Sequence, residues 1–340
     1  MRDSREEIPS PRASLRGKEL SMDESLLKFA QSVKVTQCRV FNTPNLIFLC
    51  GGRVSAVSAH GPPFESVRDY FFRYIQANQP AISEKLRRAE EINDWFDGNV
   101  FRDLLELEEY LADLSDVIIL FVESPGSIAE LGAFAMSTTV CPKILTVINT
   151  LHPEKSFIAD GPVRRLRSAQ TSLVYSFEWD CDISRFNTEI NIDTFRDMSE
   201  QLADVIMKRR EKGPKEGIFN PKSPGHAMLM IADLTDIIGI VSKGEIIDCL
   251  FALGMEPDGG ILKKYLYLLE RLQIIKKLDY SNQVYYVATY SAQFIRYDFL
   301  EQAMIRDRKR AKFLVRQGLK RADPRRAKIY SHYLQRASQT

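Results

Sequence analysis

The stretch that most constrains this chain is residues 116–135, Asp-Val-Ile-Ile-Leu-Phe-Val-Glu-Ser-Pro-Gly-Ser-Ile-Ala-Glu-Leu-Gly-Ala-Phe-Ala. Val117 to Val122 is an unbroken apolar run with β-branched members, the pattern of a strand buried on both faces. Glu123-Ser124-Pro125-Gly126 breaks it. A helix opening at Ser127 then continues through Leu131, Ala133, Phe134 and Met136. A buried strand, a tight loop and a helix N-terminus form the place where open α/β sheets bind ligands. The carboxylates Glu123 and Glu130 flank that loop, and Ser124, Gly126 and Ser127 are its candidate substrate-binding residues.

Glu130 carries two readings. Ser127-Ile128-Ala129-Glu130 fits a capping box, with Ser127 as N-cap and Glu130 three residues on, a purely structural role. Alternatively Glu130 is a nucleophile: a carboxylate can attack an anomeric carbon and form a covalent glycosyl intermediate, while a second carboxylate handles the proton.

The flanking pattern extends the sheet. Asn45 to Gly52 reads as a buried strand running into two glycines. Gly51 and Gly52 allow close backbone approach to a ligand, and Arg53 either faces a ribose or phosphate or is a solvated loop arginine. Pro142 to Asn149 is a further strand and Leu173 to Phe177 an edge strand. Helices are expected over 64–76, 81–96, 101–111 and 192–210. The loop around Asp160 and Gly161, with Arg164 and Arg165, either closes over a phosphate or is structural. Alternating strands and helices imply a parallel, Rossmann-like α/β sheet.

The chain's 340 residues suffice for two or three domains. The apolar runs are far shorter than the ~20 residues that span a bilayer, and the N-terminus has no signal-peptide core. Cys38, Cys50, Cys141, Cys181 and Cys249 are scattered and odd in number, which argues for a reducing cytoplasm and against a zinc site. Residues 1–23 read as a mobile arm, 24–212 as the α/β domain and 213–225 as a linker. Residues 1–212 hold 26 Lys+Arg against 32 Asp+Glu, net −6, and residues 213–340 hold 21 against 13, net +8. That split assigns a polyanionic partner to the second half. Residues 226–290, three helices and then a hairpin, look like a winged helix-turn-helix, for nucleic acid or for protein. Its third helix offers Lys263, Lys264, Tyr267 and Arg271. Residues 291–340 form a basic helical segment. Residues 306–336 hold twelve Lys/Arg, Arg308, Lys309 and Arg310 among them, against two acids. Phe313, Leu314, Tyr330 and Tyr333 interleave, as where bases stack, although a solvated basic helix has the same pattern.

Val-Ile-Ile-Leu-Phe-Val-Glu-Ser-Pro-Gly-Ser-Ile-Ala-Glu-Leu-Gly-Ala resembles the active-site segment of nucleoside 2-deoxyribosyltransferases. There a strand leads through an acidic, glycine-containing loop to Glu-(Leu/Ile)-Gly at a helix start. The resemblance makes Glu130 the nucleophile, matches Glu123 to the loop acid (usually Asp), and matches Asp103 to an acid some 26 residues upstream. Gly51 matches a glycine after the first strand, and Gly52-Arg53 departs from the family's Gly-Pro. Such a domain followed by a winged helix resembles the effectors of type II retron antiphage systems. The implication is a toxin-like N-glycosidase acting on nucleotides, including NAD, without a metal or other cofactor. It is controlled by the retron reverse transcriptase and its multicopy single-stranded DNA, in a homo-oligomer or higher assembly. Two alternatives stand beside it: a non-enzymatic winged-helix regulator with a nucleotide-sensing domain, and a true transferase that needs an acceptor base.

Overall fold

In the computed structural model the described residues are 24–337, apart from 56–60, 93–99, 152–154, 170–172, 183, 213–215, 257 and 281. The proposed arm over 1–23 lies outside them. The chain divides into two compact units, Thr43–Pro214 and Met1–Asn42 with Lys215–Thr340. Helix α1 (Glu24–Gln31) and strand β1 (Arg39–Phe41) therefore group with the C-terminal unit, not with the α/β unit as the sequence reading had it. The reason is strand pairing: β1 has an antiparallel neighbour on each side, Gly217 and Ile295 both opposing Val40.

The unit Thr43–Pro214 is a mixed α/β structure. In chain order it contains β2 (Ile47–Cys50), α2 (Val67–Asn78), α3 (Pro80–Ser83), β3 (Leu86–Arg87), α4 (Leu104–Leu114) and β4 (Val117–Val122). Then come α5 (Pro125–Met136), β5 (Ile144–Asn149), α6 (Arg164–Ser168), β6 (Leu173–Phe177) and α7 (Glu189–Lys212). The strands form one parallel five-stranded sheet in the order β3-β2-β4-β5-β6. Every residue of β4 and β5 is buried. Val117, Ile119 and Phe121 enter a core with Phe71 of α2 and Phe195 and Leu202 of α7. Ile118, Leu120 and Val122, alternating with them, are equally buried on the opposite face. Two-sided burial explains why β4 reads as an unbroken apolar run.

Of the expected helix over 81–96 only the start forms among the described residues, as the last turn of α3 (Pro80–Ser83). Leu86 is instead buried in a short edge strand opposite Ile47. Between Glu84 and Glu91 the apolar side chains are too few to give a helix an inward face, so the backbone finds partners at the sheet edge.

The second unit adds β7 (Glu216–Ile218), α8 (Pro224–Ile238), β8 (Ile240–Ser242), α9 (Lys243–Ala252), α10 (Gly259–Arg271), β9 (Ile275–Tyr280) and β10 (Gln283–Ala288). It ends with β11 (Ile295–Arg296), α11 (Arg308–Ala322) and α12 (Pro324–Ala337). Its sheets are antiparallel, β11-β1-β7 and β8-β10-β9. The stretch expected as a linker thus supplies β7 and the Ser223 cap of α8. Strand β8, unforeseen in the sequence, adds a third member to the hairpin.

Helices α11 and α12 are not a solvated tail. Ala311, Val315 and Leu319 are buried, and Tyr330 and Tyr333 pack with Leu319 on Ile240, Tyr285 and Val287. Arg326 is buried, and its guanidinium reaches both oxygens of Glu245 at 2.7 Å.

A glycine fixes how β2 meets β4. Gly51 has φ +133°, and a Cβ there would lie 2.6 Å from the Phe121 carbonyl oxygen. Gly51→Ala combines backbone strain with a clash against fixed backbone. It should cost about 2 kcal/mol or more, read as a lowered urea midpoint; an unchanged midpoint would show that the two strand ends separate freely.

Candidate catalytic site

The helix after the central strand starts earlier than its sequence suggested. Ser124 is the N-cap of α5 and Pro125 occupies the first helical position, where its missing N–H costs nothing. The Ser124 hydroxyl accepts from Ser127 N–H at 3.2 Å, and the Ser127 hydroxyl accepts from the N–H groups of Ser124 and Glu123, both at 2.9 Å. The capping box is therefore Ser124 with Ser127, a second serine standing where Glu or Gln is usual. Glu130, three residues past the box, has no capping role, and that reading of it is overturned.

Glu130 sits instead among buried charges. Its Oε2 is buried without a hydrogen-bond partner among the described residues. Burial pushes its carboxyl up to about 7, against the pull of Arg68 and with a push from Glu90. Glu108 of α4, 4% exposed, is pushed up to about 8 by burial and by the charges of Glu130 and Glu90, with Arg68 opposing. The buried Cys50 thiol at the end of β2 is raised by burial and then by Glu108 and Glu130. Side chains from β2, α2, α4, α5 and the turn Ala89–Glu91 thus converge electrostatically at the C-terminal ends of β2 and β4.

Arg68 supplies the positive charge. It is 2% exposed. Nη1 donates to Gly52 O at 2.9 Å and to Glu90 Oε1 at 2.6 Å, and Nη2 to Leu49 O at 2.7 Å and Glu90 Oε2 at 2.9 Å. Neither Arg68 nor Glu108 was singled out from sequence. The available signal was a charge on an apolar stripe: Arg68 shares helical spacing with Phe71, Phe72 and Ile75, and Glu108 with Leu111 and Ala112.

The other predicted acids have backbone partners. Glu123 accepts from Gly52 N at 3.2 Å, Val67 N at 2.7 Å and Arg68 N at 3.1 Å. Burial raises its carboxyl while those N–H groups and Arg68 pull it down. It ties the end of β4 to the glycine turn and the start of α2, and a Cβ on Gly52 would meet its Oε1 at 2.6 Å. Asp103 is the N-cap of α4, accepting from Glu106 N at 2.8 Å and Arg102 Nε at 2.9 Å. Solvent-exposed, it is held below its ordinary pKa first by the Glu106 N–H and then by Arg102. Its place is the N-cap of α4, and its charge is not among those that act on Glu130, Glu108 or Cys50. Arg53 and Gly126 are exposed and Ser127 is buried.

In the second unit Lys263 and Arg271 are exposed on α10, with the Arg271 guanidinium 5.3 Å from the Tyr267 ring centre and Lys264 half-buried. Lys309 and Arg310 are exposed at the start of α11. Arg308 is not available in the same way. It donates to Asp233 Oδ2 at 3.1 Å and Asp236 Oδ2 at 2.7 Å, a pairing of partly buried charges that sequence composition cannot reveal. No described helix is long and apolar enough to cross a membrane.

The model of the STM3845 retron effector protein family matches residues 65–277, from just before α2 into β9. Two Escherichia coli proteins are similar over most of both chains. The "Retron Ec73 putative ribosyltransferase/DNA-binding protein" is 25% identical over 271 residues, 76% of this chain and 81% of the relative. The "Retron Ec86 putative ribosyltransferase/DNA-binding protein" is 26% identical over 267 residues, 74% and 78%.

The raised carboxyls make stability depend on pH. Glu108 titrates higher folded, at about 8, than its ordinary 4.5. Its contribution is complete below the unfolded value and lost as pH rises through the folded one. Glu108→Gln, which cannot ionise, should therefore gain on wild type between pH 6 and pH 9 by at least about 1 kcal/mol in urea unfolding. A pH-independent difference would remove Glu108 from the buried charge cluster.

Proposed function

The chain belongs to the STM3845 retron effector family, and on that premise we propose that it is a toxin-like retron effector that cleaves the base–sugar bond of nucleotides, NAD included. The unit Thr43–Pro214 acts as a nucleoside deoxyribosyltransferase-like N-glycosidase. The observation that carries this reading is Glu130: a half-buried carboxyl whose Oε2 is shut off from water and unpartnered among the described residues, on the helix that follows the central strand of a parallel sheet. The naming of its relatives as ribosyltransferases supports the same class of chemistry.

In the proposed reaction, ionised Glu130 attacks the anomeric carbon. The glycosidic bond breaks, and its electron pair leaves with the base. Glu108, still protonated where Glu130 has begun to ionise, gives its proton to a departing purine or pyrimidine. Nicotinamide, a pyridinium while bound, departs neutral without one. Water then attacks the glycosyl carbon and breaks its ester bond to Glu130, freeing that carboxylate; the proton that water loses returns to Glu108 after purine or pyrimidine departure and passes to solvent when nicotinamide has left. Glu123 acts as a positioning residue, and the start of α5 with Ser124 and Gly126, together with Gly51, faces the nucleotide, while the buried Ser127 and Gly52 hold that backbone in place through Ser124 and Glu123.

The second unit is read as a winged helix, with α8 to α10 followed by the β9–β10 hairpin. Lys263, Lys264, Tyr267 and Arg271, joined by Lys309 and Arg310, contact the multicopy single-stranded DNA bound to the retron reverse transcriptase in the cytoplasm, within a homo-oligomeric assembly. The net +8 of residues 213–340 and the relatives' names support that role.

Base release tests the first part. Glu130→Gln should abolish it with little change in melting temperature, since the residue caps nothing. For purine nucleotides the wild-type rate should be bell-shaped, with limbs at the paired titrations near 7 and 8; for NAD only the acid limb should remain. Wild-type turnover by Glu130→Gln would end the glycosidase reading. Nucleotide binding without any base release by the wild-type protein would favour the sensing regulator. Charge reversal of Lys263, Lys264 and Arg271 to Glu should weaken nucleic-acid binding at least tenfold and flatten its salt slope. An unaltered salt series would place the contact elsewhere.

A further inference from the structure

We propose that Arg68, clamped by Glu90, is the positioning residue that sets the charge of Glu130, with Glu90 opposing it as a built-in brake. This inference rests on reading Glu130 as the nucleophile. An attacking carboxylate must be ionised, yet Glu130 lies in a site that excludes water from one of its oxygens. Burial alone favours the neutral form, so a fixed positive charge is needed nearby.

The geometry supplies one that cannot swing away. The Arg68 fork is held by two carbonyls, Leu49 O and Gly52 O, at the end of β2, and by both oxygens of Glu90. Its backbone N–H is held by Glu123 at 3.1 Å. Among the described residues Nε is the one nitrogen of this guanidinium buried without a partner, and Glu130 Oε2, whose carboxyl feels the Arg68 charge, is likewise buried and unpartnered. The Glu90 side chain is 53% exposed and that of Arg68 3%, so the pair points its negative end to solvent and its positive end inward. Four groups act on Glu130 or its neighbours: Arg68 of α2, Glu90 of the turn after β3, Glu108 of α4 and Cys50 of β2. Arg68 alone among them is positive. A merely structural ion pair would affect Glu130 in one sense whichever partner were removed. A charge-setting pair must give opposite signs, because Arg68 attracts a proton-free Glu130 and Glu90 repels it.

The experiment follows the Glu130 carboxyl directly. Full-length protein carrying carboxyl-13C glutamate is titrated by NMR, the Glu130 resonance being identified by its loss in Glu130→Gln, and the pH profile of base release is recorded in parallel. Arg68→Met should raise the Glu130 midpoint by about one pH unit or more, a tenfold loss of ionised form at pH values below the midpoint. Arg68→Lys, keeping charge but not the fork, should fall between. Glu90→Gln should lower the midpoint and move the acid limb of turnover the same way. Shifts of the same sign in Arg68→Met and Glu90→Gln would overturn the proposal. So would a Glu90→Gln midpoint unchanged within about 0.2, a result that decides the matter even if Arg68→Met does not fold. Should the wild-type protein release no base, the glycosidase reading fails while the NMR midpoints still decide the role of Arg68.

Discussion

The local structure depends on one carboxylate that gathers three backbone N–H groups. Glu123, at the last turn out of β4, takes N–H groups from Gly52, Val67 and Arg68. A carboxylate at a helix N-terminus interacts favourably with the helix dipole, and here the same contact fixes where α2 begins relative to β2 and β4. Once α2 starts there, Arg68 reaches the carbonyls at the end of β2. The glycines follow from the same closeness: at Gly51 and Gly52 any side chain would meet Phe121 or Glu123 itself. Both strand ends, the first turn of α2 and the buried guanidinium are therefore consequences of one anchoring interaction.

Around that anchor the unit concentrates charge where water is scarce. Isolated carboxyls in such a place would simply take up protons. A single clamped arginine leaves Glu130 and Glu108 near neutrality instead, at about 7 and about 8, the range in which carboxyls exchange protons at physiological pH. Perturbed carboxyls clustered in this way are what a proton-transferring site requires. The second unit uses buried charge differently. Asp233, Asp236 and Glu245 bind Arg308, Lys312 and Arg326 in close pairs, so part of the basic surplus of that half is spent on holding α11 and α12 in place.

Most of the frame was legible in the sequence. Two-sided burial gave β4 and β5 their continuous apolar runs, and α8, α9, α10 and the β9–β10 hairpin of the second unit followed from helical spacing and the hairpin turn. Glu130 stood out through its place after the central strand. Much of what was missed shares one cause: the deciding partner was distant in sequence. The anchoring contacts of Glu123 are not legible locally, because its backbone partners lie 55 to 71 residues away. Asp103, which spacing favours, is also the N-cap of α4, whereas Glu108, five residues on, is the acid of that helix that feels the charges of Glu130, Glu90 and Arg68. Leu86 left its expected helix for a strand pairing, and β1 left its expected domain for the same reason. Arg68 and Glu108 were recoverable only by noticing charges on stripes that otherwise read as core.

The most direct test of the central claim is peptide mass spectrometry of full-length protein quenched during turnover of a nucleotide substrate. Attack by Glu130 predicts a glycosyl adduct on the peptide that contains Glu130, with its mass fixed by the sugar and phosphates left after base loss, and no such adduct in Glu130→Gln. An adduct on a different carboxylate, or base release by Glu130→Gln at the wild-type rate, would contradict the account.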